Sequence, residues 1–555
     1  MEAPLSLGMV AMTATTLVGL ALIWPKVRAR LALSRAKHRS LAGHSRMAKR
    51  VASLIRGYAY GEAEFFSSDD APPEVAQRRR TGMERLSALY RERFALSVAA
   101  TAQARESISD LQFTGSYRVP FQYSPMVRSQ LATGAFVQAS RGVQVQDLDG
   151  NWFYDLTGSY GVNLLGYDFY KKTIAEGSAL VAELGPVLGA LHPCVLDVVR
   201  GLREISGHQE VSFHMSGTEA VMQAVRVARY QTGKRNLVRF AGAYNGWWED
   251  VQPGPGNPLP PRDTYTLAEM SERSIAVLRG RRDIACVIVN PLQALHPNKA
   301  APGDSQLIDG SRQFSYDRAA YTAWLQQLRQ VCTERGIVFI LDEVFLGFRL
   351  APGGAQEYFG VQADLVIYGK TLGGGLPVGV VCGPAKLMKR FTAERPAHLC
   401  FARGTFNAHP YVMGAMKVFL DRLKTPEVQA LYEGQDERWQ QRIARLNMQL
   451  SEAGLPLQIA HMSTVCAVMY SQTGRYHWML QYYLRAEGLA LSWVGSGRLI
   501  FSLNYTDADF DEVTRRFVAA GRAMQADGWW HEVPGLSPKT IRRRIFKEML
   551  AGGTA

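Results

Sequence analysis

The order of apolar and polar positions divides the chain into regions of different periodicity. In the centre, short apolar runs alternate with segments in which apolar residues recur every three or four positions; the runs are 211–214, 284–289, 338–341 and 365–368. Continuous apolar runs are typical of buried strands, and the longer period is that of helices. This alternation predicts an α/β domain with a large, mostly parallel sheet covered by helices.

Two flanking regions predict a second, smaller domain. Residues 141–158 read RGVQVQDLDGNWFYDLTG, with alternating apolar positions on both sides of Asp149-Gly150, which predicts a hairpin. Residues 497–524 read as a strand, an Asp-rich cap and an amphipathic helix. Together these elements are typical of an α+β domain beside the large one.

The N-terminal region begins with an uncharged apolar run. Residues 4–24 approach the roughly 20 residues that a membrane-spanning helix needs. Ten Lys or Arg residues and no acidic residue follow between Lys26 and Arg56, whereas Glu2 precedes the run, which is the wrong charge order for a secretory signal peptide. We therefore predict a single-pass transmembrane helix with the rest of the chain cytoplasmic. A buried or surface helix is the alternative.

The patterns divide the chain into six segments. In order, they are a transmembrane anchor (1–25), a basic juxtamembrane and helical arm (26–110), the first part of the small domain (111–200), the large cofactor-binding domain (201–415), the second part of the small domain (416–530) and a basic tail (531–555). Within the tail, KTIRRRIFK predicts a basic amphipathic helix for membrane or partner contact.

Composition and charge exclude several functions. The 555 residues are 47% hydrophobic and 20% charged, so the chain can bury a large core. Six cysteines lie far apart with no CxxC pair, which argues against a zinc site or a disulfide framework. The net charge of +14 is concentrated after the apolar run and in the tail, so we expect no nucleic acid partner.

Polar residues follow three of the predicted strands. Asp342 ends the run 338–341, Lys370 closely follows 365–368, and Ser216-Gly217-Thr218 stands between 211–214 and a helix-period segment. Ligands of open α/β sheets bind at the carboxyl ends of strands, so these residues should meet. Taken singly, Asp342 and Lys370 could form a structural ion pair, and Ser216 could be an ordinary helix cap.

Taken together, the three strand ends supply a lysine, a carboxylate and an anion site at a helix N-terminus. Pyridoxal 5'-phosphate (PLP) requires this set: a lysine for its aldehyde carbon, an acid for its ring nitrogen and an anchor for its phosphate. The lysine must act as a neutral amine, which burial favours. The sequence therefore predicts a PLP site and no metal site.

Several separated blocks carry a family resemblance. In order they are SGTEA (216–220), YNGWWED (244–250), LDEVFLGFR (341–349) and YGKTLGGGLPVGVVCG (368–383), followed by GTFNAHP (404–410). The chain resembles the class III aminotransferases of fold type I, in particular the glutamate-1-semialdehyde aminomutase branch, over roughly 113–526. The style of its sequence is most similar to aminotransferase domains of polyketide and nonribosomal peptide assembly lines.

The resemblance implies roles for individual residues. Lys370 would hold the cofactor and move a proton, and Asp342 would keep the ring nitrogen protonated. Tyr244 would stack on the ring, the alternative being an ordinary core aromatic. Thr405 would reach the phosphate of a neighbouring subunit, which implies a homodimer with shared active sites. The residues implied to hold the phosphate are Ser216, Gly217 and Thr218.

The chain also departs from the family pattern. Asn245 stands where family members usually have His, and Asn290 opens a block that is often acidic. Arg403 could bind a substrate carboxylate or be a solvated interface residue. The pairs Trp247-Trp248 and Trp529-Trp530 could line an apolar pocket, lie at a membrane interface or pack as ordinary core or surface residues.

The N-terminal apolar run and the resemblance together predict a membrane-tethered aminotransferase of secondary metabolism. It would move an amino group from an amino-acid donor to a ketone or aldehyde of an acyl or lipid-like intermediate. One alternative is an intramolecular aminomutase of the glutamate-1-semialdehyde type, which consumes no external donor. Another is a non-catalytic PLP-fold scaffold at the membrane, against which the retained Lys370 and Asp342 argue.

Overall fold

The structure is a computed structural model. It describes residues 7–38, 44–112, 117–252, 256–259, 261–295, 310–311, 313–492 and 497–551. In the first helix, side chains are described at residue 21 and from residue 23 onward.

The strands of the described chain form three sheets. Their bounds are β1 Val137–Arg141, β2 Gln144–Asp147, β3 Trp152–Asp155, β4 Glu210–His214, β5 Asn236–Phe240, β6 Thr264–Leu267, β7 Ile284–Val289, β8 Val338–Asp342, β9 Leu365–Gly369, β10 Gly379–Gly383, β11 Leu457–Met462, β12 Val465–Tyr470, β13 Leu489–Ala490 and β14 Arg498–Ile500.

Helices cover and connect these sheets. Their bounds are α1 Leu7–Ala36, α2 Ser45–Leu54, α3 Glu62–Ser67, α4 Pro73–Arg93, α5 Ala95–Arg105, α6 Ser124–Gln130, α7 Tyr167–Leu180, α8 Cys194–Ser206, α9 Gly217–Thr232, α10 Glu272–Gly280, α11 Arg318–Arg335, α12 Gly354–Phe359, α13 Ala385–Met388, α14 Pro410–Leu423, α15 Pro426–Tyr432, α16 Gln435–Glu452, α17 Leu480–Ala486, α18 Asp507–Ala526 and α19 Pro538–Ala551.

The large domain is built on a seven-stranded sheet with the order β4-β10-β9-β8-β7-β5-β6. The four predicted apolar runs are confirmed as β4, β7, β8 and β9. Every residue of β7, β8 and β9 is buried, which explains their continuous apolar sequences. The sheet is parallel except at β10, which runs antiparallel to both of its neighbours.

The small domain combines two antiparallel units. The predicted hairpin is confirmed as β2 and β3, and β13 joins it parallel to β3. The second sheet has the order β11-β12-β14. The Asp-rich segment caps α18 as predicted, since the Thr506 side chain accepts from the backbone N–H of Asp509 and the Asp509 side chain accepts from that of Thr506.

The predicted membrane anchor is not confirmed. The backbone of α1 is helical from Leu7 to Ala36 and continues through Pro25. Across the part of the chain that the structure describes, no helix is long and apolar enough to cross a membrane. The run 4–24 lies almost wholly outside the described side chains, so the anchor stays a prediction. At its other end, α1 is fixed to the large domain, where the carbonyl of Ala36 accepts from the N–H of Ala268.

A buried arginine joins the two ends of the chain. The guanidinium of Arg475, in the small domain, forms an ion pair with Glu548 of α19 at 3.2 Å. Tyr58 and Tyr60, which follow α2, donate hydrogen bonds to Glu548 at 2.8 and 2.5 Å. We call Arg475, Glu548, Tyr58 and Tyr60 the Arg475 clasp. The predicted tail helix is confirmed as α19, and the clasp docks it on the N-terminal arm.

Candidate active site

The predicted site residues converge on one cavity of about 780 Å³. It lies where the carboxyl ends of the large-domain strands face β14 of the small domain. Six of the seven predicted residues line it: Ser216, Gly217, Thr218, Tyr244, Asp342 and Lys370. Thr405 is not among the lining residues and is exposed at the surface of the same chain.

Lys370 enters the cavity directly after β9. Its φ of 48° lies in the left-handed region, which is strained for a residue with a side chain and occurs often at functional sites. Burial lowers the pKa of the lysine, Asp342 opposes that shift, and Arg349 adds to it. Lys370 and Asp342 influence each other through their charges, without a hydrogen bond between them. The structural ion-pair interpretation is therefore not supported.

Asp342 ends β8 and is only 2% exposed. Its carboxylate accepts a hydrogen bond from the Asn245 side-chain amide at 2.7 Å and another from the backbone N–H of Val344 at 3.2 Å. Burial raises the pKa of Asp342 to about 6, against the lowering effect of these donors and of Lys370. The carboxyl group is thus held in the fold by neutral donors, whose hydrogen bonds favour its ionised form.

The anion site is the N-terminus of α9. The Ser216 side chain accepts from the N–H of Glu219 at 3.3 Å, so Ser216 does cap the helix, but it also lines the cavity. Two glycines allow the backbone to pass close to the N-terminus of α9. A Cβ on Gly379 would lie 2.0 Å from the Ser216 carbonyl oxygen, and a Cβ on Gly246 would lie 2.6 Å from the Thr218 hydroxyl.

The residues present fit PLP. The N–H groups at the start of α9 suit a phosphate, Asp342 is a buried carboxylate suited to a protonated ring nitrogen, and Lys370 is a buried amine in the same cavity. When bound, PLP supplies a carbon that exchanges amino groups and a ring that withdraws electrons. Ser216, Gly217 and Thr218 would hold its phosphate, Asp342 would stabilise the positive charge at its ring nitrogen, and Lys370 would move a proton at its Nζ.

The aromatic residues take different positions. Tyr244 lines the cavity with its side chain 63% exposed, so the core interpretation is wrong. Trp247 is exposed, and Trp529 and Trp530 are buried in the small-domain core. None of these three side chains is among those that line the cavity. Asn290, the second departure from the family pattern, donates to the carbonyl oxygen of Tyr244 at 2.9 Å and fixes the backbone beside this ring.

Arg498 is a site residue that the sequence analysis missed. It lies on β14, lines the cavity, and has its pKa lowered to about 10 by burial. Within the described residues no carboxylate faces it. Arg498 therefore places a positive charge on the wall of the cavity. Arg403, the predicted candidate for binding a substrate carboxylate, is exposed and is not among the lining residues.

Two charged residues of the block 341–349 are structural. Glu343 is buried and accepts from the backbone N–H groups of Ala355 and Gln356 at the start of α12, and burial raises its pKa to about 8. Arg349 donates to Thr464 and to the carbonyl of Phe501 at 2.8 and 2.7 Å. Arg349 therefore holds the small domain against the strand end that carries Asp342.

Fold and site together define a PLP-dependent transferase of fold type I. The family model for class III aminotransferases matches residues 126–249 and 317–520, more than half of the chain. The chain belongs to the class III aminotransferase family. Its cofactor is PLP, and it is a PLP-dependent aminotransferase.

Curated relatives agree with this assignment. The chain is 30% identical over 362 residues to glutamate-1-semialdehyde 2,1-aminomutase of Geotalea daltonii, covering 62% of this chain and 78% of the relative. It is 31% identical over 376 residues to the protein of the same name from Desulfotalea psychrophila, covering 64% and 81%. The predicted closeness to assembly-line domains stays a prediction.

Solved structures confirm the fold. A glutamate-1-semialdehyde-aminomutase from Pseudomonas aeruginosa PAO1 superposes with a TM-score of 0.64 at 17% identity, over 80% of this chain and 98% of that one. An omega-transaminase from Sphaerobacter thermophilus gives 0.62 at 24% identity, over 77% and 98%.

Proposed function

We propose that this aminotransferase moves an amino group from an amino-acid donor to the ketone or aldehyde carbon of an acyl or lipid-like biosynthetic intermediate. The observation that carries the proposal is the cavity wall. Around Lys370 and Asp342 the cavity is lined by aliphatic and aromatic side chains: Val162, Val221, Leu292, Val344, Phe345, Leu376, Val378 and Ile500. Such a wall binds hydrocarbon, and Arg498 supplies one cation for a carboxylate.

Acceptor chain length tests this proposal. With one amino donor and straight-chain aldehydes of rising length, we expect kcat/KM to rise by about fourfold for each methylene that enters the cavity, since burial of one CH₂ contributes about 0.8 kcal/mol. Lys370→Ala is the inactive control. A kcat/KM that stays flat or falls with chain length would contradict a hydrocarbon acceptor.

Binding of the donor carboxylate by Arg498 can be tested in the first half of the reaction, in which the amino donor reacts. Arg498→Gln should raise KM for an amino-acid donor and leave KM for an uncharged primary amine unchanged, because only the first carries a carboxylate. Arg522→Gln, at an exposed arginine of α18 outside the cavity, is the matched control and should change neither. Equal effects of Arg498→Gln on both donors would rule out carboxylate binding at Arg498.

Isomerisation of glutamate 1-semialdehyde is a second candidate, because the two curated relatives carry the name of that aminomutase. This reaction consumes no external donor. Incubation of the PLP-loaded enzyme with glutamate 1-semialdehyde alone separates the candidates: complete turnover without a donor would favour the aminomutase.

We also propose a homodimer with shared active sites. Apolar side chains on both sides of Thr405 are exposed, among them Phe401, Phe406 and Leu399. A second exposed segment lies beside them, since a Cβ on Gly189 would stand 3.6 Å from the guanidinium of Arg403. Exposed apolar side chains of this kind are typical of a protein–protein interface, and they flank the residue implied to reach a neighbouring subunit.

A membrane anchor over 1–25, with the catalytic domain cytoplasmic, remains part of the proposal. The length of the uncharged run 4–24 and the ten basic residues that follow it support it. Binding of the full chain to uncharged phosphatidylcholine vesicles tests it, because such binding needs the apolar run and no charge. A full chain that leaves neutral vesicles unbound would contradict the anchor.

A further inference from the structure

Three segments that are distant in sequence meet at Tyr58. The ring of Tyr58 packs on the ring of Phe121 with centroids 5.1 Å apart, and its hydroxyl donates to Glu548 at 2.8 Å. Tyr58 follows α2, Phe121 precedes α6, and Glu548 belongs to α19. The Arg475 clasp thus places the segment just after α2, the turn before α6 and α19 side by side. We call the outer surface of these three segments the Tyr58 face.

The charge of this face is almost entirely positive. Residues 55–60, 117–131 and 537–551 contain one, two and five Lys or Arg residues, and their one acidic residue is Glu548. Glu548 is occupied by Arg475, Tyr58 and Tyr60, so it does not neutralise the outer surface. One of the basic residues, Arg544, turns inward to the carbonyl of Ser68. The exposed positive charge comes from residues such as Arg128, Arg543 and Lys547.

Large apolar side chains are exposed among these charges. On α19, Phe546 is 59% exposed and Leu550 is 64% exposed, and both lie on the same helical face as Arg543 and Lys547. The opposite face of α19 buries Ile541 and Ile545 against the body. On α2 and just after it, Leu54 and Ile55 are exposed, and Phe121 lies beside Tyr58.

This combination selects one kind of partner. A nucleic acid would explain the basic residues, but exposed aliphatic side chains have no role on a phosphate backbone. An acidic protein would need complementary pockets, whereas Phe546 and Leu550 project from a helix that is already docked. Basic residues interleaved with aromatic and aliphatic ones, on helices lying along a surface, are typical of contact with acidic lipid head groups and the outer part of their acyl chains.

We propose that the Tyr58 face binds the surface of a lipid bilayer that contains anionic lipids. This contact is separate from the predicted anchor over 1–25, because it depends on negative lipid charge, whereas a hydrophobic anchor does not. It lays the body of the enzyme against the membrane through α19 and the segments beside it. An acyl or lipid-like substrate would then be presented at a fixed orientation of the catalytic domain.

Vesicle binding by the PLP-loaded full chain tests the proposal. Sedimentation would be measured with pure phosphatidylcholine vesicles and with vesicles that also contain phosphatidylglycerol. We expect the full chain to bind the anionic vesicles at least tenfold more tightly than the neutral ones at low salt, with the preference lost in high salt. Equal binding to both vesicles at low salt would overturn the proposal, whether or not the apolar run inserts.

Matched variants localise the effect. Arg543→Glu with Lys547→Glu should remove most of the preference for anionic vesicles, and Phe546→Ser with Leu550→Ser should weaken binding while the salt dependence is kept. Arg522→Glu with Lys386→Glu changes two exposed basic residues elsewhere by the same charge and should leave the preference intact. All three double variants should keep the absorbance of bound PLP.

Two outcomes would contradict the assignment. Equal losses in the Arg543/Lys547 pair and in the Arg522/Lys386 pair would mean that net charge alone directs binding. Tight binding of duplex DNA that the Arg543/Lys547 pair abolishes, with no preference for anionic vesicles, would assign the face to nucleic acid instead.

Discussion

At Asp342, hydrogen bonds from two neutral donors lower the pKa that burial raises. The carboxyl group has a pKa of about 6 in the fold, above its ordinary value of 3.8, because burial outweighs Asn245, Val344 and Lys370. Between pH 3.8 and about pH 6, Asp342 is therefore protonated in the folded chain and ionised in the unfolded chain. In that window the free energy of unfolding falls as pH rises, and above it the cost of ionisation is constant.

Asn245→Ala should raise the pKa of Asp342 further and so extend this pH window upward. The variant removes the 2.7 Å donor, and a lost hydrogen bond to a buried charged group costs about 1.5–3 kcal/mol in the ionised form. We expect the thermal midpoint of the PLP-free variant to keep falling with pH well above pH 6, where that of the unchanged protein levels off. PLP affinity near neutral pH should fall with it.

Asn290→Ala provides the control for this prediction. Asn290 bonds to the Tyr244 backbone and not to Asp342, so its removal should leave the pH profile unchanged. Identical profiles for Asn245→Ala and Asn290→Ala would show that Asn245 does not set the protonation of Asp342.

At the scale of elements, β10 determines how the site is assembled. The order β4-β10-β9 places the anion site after β4 and Lys370 after β9 on either side of one antiparallel strand. The first residue of β10, Gly379, faces Gly369 on one side and His214 on the other. The backbone of Ser216 lies so close to Gly379 that no side chain fits between them.

Gly379→Ala should disturb the anion site more than the fold. The added Cβ would displace Ser216, and forcing one methyl group into such a contact costs typically about 1–3 kcal/mol. We expect PLP affinity to fall at least tenfold, measured by equilibrium titration, with the helical circular dichroism retained. Gly280→Ala, at the end of α10 with open space around it, is the control and should bind PLP normally. Unchanged affinity in Gly379→Ala would contradict this account.

The sequence is informative about elements where local signals are strong. Asp342 and Lys370 could be predicted because each stands at the end of a continuous apolar run that only a buried parallel strand explains. The antiparallel direction of β10 could not be predicted, because the apolar run VGVVCG carries no signal of strand direction. Arg498 was missed because β14 is three residues long and its place beside the cavity depends on packing between two domains.

For the whole molecule, the proposed dimer can be tested at the exposed segment around Thr405. The residue is outside the cavity of its own chain, among exposed apolar side chains. No pattern within one sequence specifies where a residue of a neighbouring subunit will lie. We expect the protein to be a dimer by light scattering, and Phe401→Glu to shift it toward the monomer, whereas Met448→Glu on α16 should not.

Hybrid dimers test whether active sites are shared. Lys370→Ala and Thr405→Ala chains should each be impaired alone, and mixing after dissociation should restore activity, up to roughly a quarter of the unchanged level, because half of the dimers then contain one complete site. Activity that stays at the average of the two separate variants would place Thr405 outside the shared site.

The Arg475 clasp has a consequence for how the protein is made. Its partners are separated by up to 490 positions, from Tyr58 to Glu548. The arm that carries Tyr58 is synthesised early, so the clasp can form only after almost the entire polypeptide, including Glu548, has been translated. Until then the guanidinium of Arg475 lacks the carboxylate of Glu548, so a chain that stops short of residue 548 leaves a buried arginine without this ion pair.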